Sequence, residues 1–226
     1  MLFRSADAPK ETSNNATRNR RTNPDIVLRK ISVSTSSTDK ESEMKVIPAN
    51  TSIYFTPYYP NWSDADYSGA FKVDYKLTNS QGTVVASSTL NFGSTTIYCH
   101  YDYFLSTPRR LSTGLSAGIY TLTVEANPSH SVAEAYWFNN TRSVTFAVGD
   151  AYVLGDVDDD DDVNSVDSAL ILRSSAGFAV ELDSRASVRG DVNTDGDMNI
   201  IDATYVQRHL AEIATPCSIE SVLLYS

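Results

Sequence analysis

Two cysteines, three histidines and two tryptophans in 226 residues leave little material for the chemistries those side chains carry. Cys99 and Cys217 stand in regions of different composition, so no disulfide framework of the kind small secreted domains rely on is expected. His100, His130 and His209 are scattered, with no spacing that would set two on one face of one element, and a zinc site finds no support. No apolar run reaches the roughly 18 residues a membrane-spanning helix needs. Met1-Leu2-Phe3-Arg4 lacks the apolar core of a secretory leader, and the expectation is a piece of a longer secreted protein or one whose leader is not included. Basic charge is scarce where acid is dense. Residues 150–212 hold 15 Asp and Glu against 4 Lys and Arg, whereas residues 1–149 hold 12 against 14. With a formal net charge of −10 and a pI near 4.7, no nucleic-acid partner is expected.

What is there in abundance is aspartate, at regular places. Asp156–Asp167 (DVDDDDDVNSVD) and Asp191–Asp202 (DVNTDGDMNIID) each place oxygen-bearing side chains at positions 1, 3, 5, 9 and 12 of a twelve-residue stretch. These are Asp156, Asp158, Asp160, Asn164 and Asp167 in loop 1, and Asp191, Asn193, Asp195, Asn199 and Asp202 in loop 2. Position 7, Asp162 or Asp197, would offer its backbone carbonyl. A hard cation surrounded by roughly six to eight oxygens at about 2.4 Å needs a chain wrapped tightly round it, so ligands recur on alternate residues. Two Ca2+ ions are therefore expected. Gly196 at position 6 of loop 2 suits the sharp turn; Asp161 holds that place in loop 1 and is expected to be the more strained. Apolar Val163 and Met198 at position 8 should anchor the loops in a core. A helix is expected after each loop, over 165–176 closed by Gly177 and over 200–212. In the second, Ala203, Val206 and Leu210 share a stripe that should face inward, matched by Ser168, Ile171 and Ser175 in the first with Leu170 as a supplement.

Position 12 is Asp where an EF-hand has Glu, and too few residues precede loop 1 for an incoming helix. A loop followed by one helix, repeated after a linker and opened each time by Gly-Asp-Val (Gly155–Val157, Gly190–Val192), resembles a type I-like dockerin module over residues 152–212. The resemblance implies calcium-dependent docking onto a cohesin module of a scaffoldin, in a secreted or cell-surface cellulosome. It also implies partner contacts from loop positions 10 and 11 and helix positions 17 and 18. Those are Ser165, Val166, Leu172 and Arg173 in the first repeat and Ile200, Ile201, Gln207 and Arg208 in the second.

Upstream the texture is β. Runs at 31–34, 52–58, 71–78, 83–92, 96–105, 119–126 and 143–148 are rich in Val, Ile, Thr, Tyr and Phe, about the strand count of a sandwich. Phe71, Val73, Tyr75 and Leu77 alternate with Lys72, Asp74 and Lys76, and Tyr120, Leu122 and Val124 with Thr121, Thr123 and Glu125, so each of these strands has one wet face. Leu115 to Val124, followed by Ala126-Asn127-Pro128, Glu134 and Asn139-Asn140, with Asn23 to Val27 as an opening, resembles the CARDB family of immunoglobulin-like modules. The expected organisation is a disordered leader or linker over 1–23, a CARDB-like antiparallel β-sandwich over 24–149, a small all-α dockerin over 150–212 and a tail over 213–226.

No catalytic constellation emerges. Gly114-Leu115-Ser116-Ala117-Gly118 matches the GxSxG nucleophile elbow in letters, but a strand-like run follows where the elbow needs a helix. The acids outside the loops are few and expected mostly on outward strand positions. The aromatic run Tyr54, Tyr58, Tyr59, Trp62 and Tyr67 is read chiefly as core packing, with a carbohydrate-stacking platform as the alternative. The leading expectation is a non-catalytic docking protein whose sandwich serves as spacer, adhesion or ligand-binding unit towards a polysaccharide or a cell surface. A C-terminal fragment of a secreted peptidase or glycoside hydrolase, and a carbohydrate-binding module, stay open beside it.

Overall fold

The computed structural model describes residues 23–225, which divide into two compact units. The first comprises the described residues up to Glu43 with Thr51–Gly114 and Tyr120–Val144; the second comprises Met44–Asn50, Leu115–Ile119 and the chain from Thr145 onward. The leader expected over 1–23 lies, apart from Asn23, outside the described residues.

The first unit is a two-sheet β-sandwich. One sheet sets β1 (Lys30–Ser34) and β6 (Arg109–Ser112) antiparallel on either side of β3 (Ile53–Tyr58). The other is built round β4 (Tyr67–Asn79), which pairs antiparallel with β5 (Val84–Ile97) on one side and β7 (Gly118–Ala126) on the other, with β8 (Thr141–Val148) next to β7. The alternation is realised: Phe71, Val73, Leu77, Leu122 and Val124 are buried, and Tyr75 meets Phe55 of the opposite sheet edge-on at 4.8 Å. Side chains with a period of two can share one core only on a pleated strand, and each large apolar one contributes about 1.5–3 kcal/mol on burial.

Two strand expectations are corrected. Residues 96–105 form no strand of their own: β5 runs unbroken to Ile97, because β4 starts at Tyr67 and keeps its partner extended as far as the Tyr67–Ile97 pair. The edge strand β6 is an addition to the expected strands: Arg109-Arg110-Leu111-Ser112 buries only Leu111 and so carries little alternation in sequence. Two acids of this unit, Asp25 and Glu134, are exceptions to the outward placement and are buried. Glu134 accepts from the Ile26 N–H (2.7 Å) and from the side-chain amides of Asn127 (2.6 Å) and Asn140 (2.7 Å). Burial raises its pKa, while these three donors favour the carboxylate.

The second unit is small and mixed. β2 (Val46–Ile47) runs parallel to the last residues of β8, and β9 (Ala151–Val153) pairs antiparallel with β10 (Val222–Leu224). Between them lie α1 (Ser165–Ser175), α2 (Ala186–Gly190) and α3 (Ile200–Leu210), with α1 packed against α3. Val157, Val163, Ile171, Val192, Ala203 and Val206 form its core with Val153, Leu154, Ala186 and Ile219. The position-8 residues Val163 and Met198 both pack there, as expected of anchors. Leu210 does not: it is 41% exposed, at the residue where α3 ends, while Ile219 from the C-terminal segment joins the core. Ser175 is exposed too, and Leu170 does supplement the stripe. Residues 213–225, expected as a tail, hold β10 and Ile219.

Glu134→Gln would turn an amide nitrogen towards a backbone N–H and is expected to lower the unfolding free energy by about 2 kcal/mol in urea titrations, with little change in m.

Candidate functional site

The two acidic loops fold alike, and the likeness reaches single hydrogen bonds. Asn164 and Asn199 at position 9 are the N-caps of α1 and α3; their side-chain oxygens accept from the N–H of Val166 (2.7 Å) and Ile201 (2.8 Å). Asp167 and Asp202 at position 12 complete each capping box, accepting from the N–H of Asn164 and Asn199, both at 2.8 Å. With the other oxygen each reaches back to the start of its loop, to the N–H of Val157 (2.6 Å) or Asn193 (3.2 Å). At position 1, Asp156 accepts from the N–H groups of Asp160 (3.1 Å) and Asp161 (2.9 Å), and Asp191 from those of Asp195 (3.1 Å) and Gly196 (2.8 Å). At position 5, Asp160 and Asp195 each accept from the N–H two residues on.

The backbone repeats as well. Position 4 has positive φ in both loops (Asp159 65°, Thr194 59°), and so has position 6 (Asp161 71°, Gly196 97°). Loop 1 therefore holds the strained position-6 Asp read from the sequence, and loop 2 has its own cost in a β-branched residue at position 4. α1 closes as expected, with Gly177 at φ 77° and the bonds Phe178 N–H to Arg173 C=O and Gly177 N–H to Ser174 C=O, both 3.0 Å. α3 closes on the same two bonds with Glu212 at φ 55° in the glycine's place, which is why it ends earlier than residue 212.

Carboxylate oxygens of Asp156, Asp158 and Asp167 all lie within 4.8 Å of one another. Two ligand oxygens on opposite sides of one hard cation, each about 2.4 Å from it, are about that far apart, so the spacing fits an ion of that class. The donor set is all oxygen, and Asp156 and Asp167 are buried. Burial pushes the Asp156 carboxyl up to about 6, and Asp158 and Asp167 are raised by the same cause, Asp158 also by the charge of Asp167. Two of the three carboxylates, Asp156 and Asp167, are thus buried beside each other, with Asp158 exposed at the rim. In loop 2, where Asn193 takes the place of the third carboxylate, burial likewise raises Asp202, with Asp191 and Asp195 adding to it. The carboxylate cluster thus forms in loop 1, although the glycine of loop 2 made that loop the better sequence match. Asp162 and Asp197 are exposed, and only their backbone was expected to contribute.

A residue the spacing argument passed over holds loop 1 from behind. Arg189, in α2 and 1% exposed, donates from Nε to the Asp156 carbonyl (2.9 Å) and from Nη2 to the Val157 carbonyl (2.8 Å). Its Nη1 donates to Asp183 (3.0 Å) and the Tyr225 hydroxyl (3.3 Å), and lies 3.7 Å from Asp159. Tyr225 in turn stacks near Tyr152 (4.6 Å) and under the guanidinium of Arg185 (4.1 Å), which pairs with Asp150. A lone arginine beside Gly-Asp reads as a surface charge, and nothing in its neighbours' spacing marks it as buried.

Of the expected partner-facing residues, Ser165, Val166, Arg173, Ile200, Ile201, Gln207 and Arg208 are exposed. Leu172 is the correction: it is half-buried and packs against the core of the unit. Arg208 also donates to the Ala214 carbonyl at 2.6 Å. Elsewhere the GxSxG letters run into β7 and not into a helix. The histidines remain apart, His100 beside Asp64 (3.2 Å), His209 beside Glu220 (3.1 Å) and His130 against Trp137 (4.2 Å between ring centres). Cys99 and Cys217 are free thiols. No described helix is long and apolar enough to cross a membrane.

Fold and loops together define a class, a two-sheet β-sandwich carrying a small unit of two acidic loop–helix repeats. The chain is similar to the CARDB domain of a Pyrococcus furiosus protein solved with di-metal ions, at 14% identity over 61% of this chain and 99% of that one, with a TM-score of 0.40. It is also similar to a domain of a Methanosarcina acetivorans protein assigned provisionally to the cell surface, at 22% identity over 56% and 93% of the two chains, with a TM-score of 0.37. No protein-family profile and no curated protein matches the chain.

Arg189→Met is expected to cost about 3 kcal/mol in urea unfolding of the calcium-free chain, since it leaves two buried carbonyls without donors. Asp161→Gly should do the opposite, raising the stability of the calcium-free chain by about 1 kcal/mol in the same titration, because glycine takes the left-handed turn without the Cβ penalty.

Proposed function

We propose that the second unit is a dockerin-like module that binds a cohesin partner when its two loops hold Ca2+, and that this chain is a non-catalytic, extracellular docking protein. The observation that carries the reading is the exposed aliphatic face at the starts of the two capped helices: Ile200 is 60%, Ile201 48% and Val166 50% exposed, each within two residues of the cap that closes its loop. Exposed isoleucines, with Gln207 and Arg208 two turns further along the same helix, have the make-up of an interface centre with a polar rim.

When bound, the ion supplies the positive charge that the crowded carboxylates otherwise lack. The chain's own residues do the rest. Asp156, Asp158, Asp160, Asn164 and Asp167, with the carbonyl of Asp162, would hold one ion; Asp191, Asn193, Asp195, Asn199 and Asp202, with the carbonyl of Asp197, would hold the other. Because positions 9 and 12 also cap the helices, whatever orders a loop orients the helix that follows it and so presents Val166 or the Ile200–Ile201 pair. A face preorganised in this way loses little side-chain and backbone freedom on binding. The sandwich is then the spacer that carries the module.

The two halves differ where they would touch a partner, Ser165-Val166 against Ile200-Ile201, so one orientation should dominate. In calorimetric titrations against a panel of cohesins, binding is expected with calcium and absent in excess EDTA. Replacing Ile200 and Ile201 by Ala should weaken it at least about tenfold more than replacing Ser165 and Val166. Tight binding in EDTA would refute the coupling, and equal losses from the two pairs would refute the single orientation.

A further inference from the structure

Exposed apolar side chains separate into two chemical kinds. On the second unit they are aliphatic but for Phe178. On the first they are aromatic at one end of the sandwich, Trp62, Tyr98, Tyr101, Tyr136, Trp137 and Phe138, while Val84 and Val85 stand at the hairpin end of β5. Isolated exposed rings are ordinary; six gathered where the β3–β4, β5–β6 and β7–β8 connections end the sandwich are not. The core does not need them. Tyr58, Tyr59 and Phe71 supply its aromatic packing and are buried.

These three connections are held by buried polar groups. The Asn61 carboxamide oxygen accepts from the N–H of Asp25 (3.0 Å), its amide donates to the Ile97 carbonyl (3.3 Å), and its main-chain carbonyl takes the His100 N–H (2.8 Å). Trp62 N–H reaches the Asp25 carbonyl (2.8 Å), Ala135 N–H the Pro24 carbonyl (2.9 Å), and the Asn139 amide the Asp25 carboxylate (2.8 Å). Glu134, already tied to Ile26, Asn127 and Asn140, completes the base. Residues 24–26 thus anchor the β3–β4 and β7–β8 connections directly, Asn61 ties the β5–β6 connection to the first of these, and the rings project from a base held by the chain's own hydrogen bonds.

What such a rim suits follows from its chemistry. Aliphatic side chains serve a dry interface, and on the first unit only Val84 and Val85, at the opposite, hairpin end of β5, are of that kind. Flat rings set among hydrogen-bonding groups suit a ligand with apolar faces and polar edges, which describes a pyranose: its C–H face lies on a ring while its hydroxyls need partners. Asp64, hydrogen-bonded to His100 (3.2 Å) between Trp62 and Tyr101 in the chain, supplies such partners, and Tyr98 and Tyr101 meet edge-on at 6.1 Å. Asp64 and Asp66 make the edge acidic, which disfavours uronates. We propose that this end of the sandwich binds a neutral polysaccharide, stacked on Trp62 and on Trp137, independently of the calcium loops.

Native gel electrophoresis of the full chain through hydroxyethyl cellulose, xyloglucan, galactomannan or, as the charged comparison, polygalacturonate tests this. Retardation by at least one of the three neutral polymers is expected, unchanged by EDTA. Trp62→Ala and Trp137→Ala should each weaken it about tenfold at unaltered melting temperature, Trp62→Tyr should retain most of it, and Ile201→Ala should migrate as the parent. No retardation in any neutral polymer, binding to polygalacturonate alone, or parent-like migration of the Trp62→Ala, Trp137→Ala double variant would overturn the proposal. Cohesin binding can fail or succeed without affecting any of these outcomes.

Discussion

The second unit depends on a guanidinium placed where no water can reach it. Arg189 meets two consecutive carbonyls of loop 1 with its planar fork, and spends its remaining nitrogen on Asp183 and Tyr225. A lysine could not do this, because a single ammonium has no pair of parallel donors held at fixed spacing. The same side chain therefore joins the linker helix, the first loop and the C-terminal segment. It also brings one positive charge to a region where acids outnumber bases by 15 to 4. Carboxylates this crowded repel one another, and the fixed donors behind the loop offset part of that repulsion.

The second economy of the unit is that position 9 and position 12 serve two ends. Asn164 and Asn199 cap helices; Asp167 and Asp202 close the capping boxes and also tie down the second or third residue of their loops. A short Asp suits this reach back to the backbone, which gives a physical reason for its presence where an EF-hand has Glu. Loop order and helix direction become one property. The first unit uses the same device for a different purpose: Asn61, Glu134 and Asp25, all buried, fix three connections so that their aromatic side chains can stand exposed. In both units buried polar side chains do what apolar packing cannot, since a loop's N–H and C=O groups need directional partners.

Much of this was legible because it rests on local periodicity. The ligand spacing, the strand alternation of Phe71 to Leu77 and Tyr120 to Val124, the N-caps and the Gly177 cap are all rules about residues a few places apart. The losses came where a distant partner decided the outcome. Leu210 belongs to the inward stripe by angle, yet α3 ends there and leaves it exposed. Leu172 belongs to the outward face by position, yet it packs against the core. Arg109–Ser112 has no alternation to read because an edge strand buries one residue in four. Tyr58 and Tyr59 are core while Trp62, three residues on, is surface, a difference set by where β3 ends.

The sequence by itself determined the two oxygen-rich loops, their helices, the charge asymmetry and the β texture ahead of them, because backbone geometry and ligand spacing are encoded within a dozen residues. Only the tertiary structure decided which carboxylates converge, that Arg189 and Tyr225 brace them, and that six rings gather on one buried polar base. Those facts depend on segments up to some hundred residues apart, as in the bonds from Asn61 and Glu134 to residues 25 and 26, and no local pattern records which distant chain will arrive.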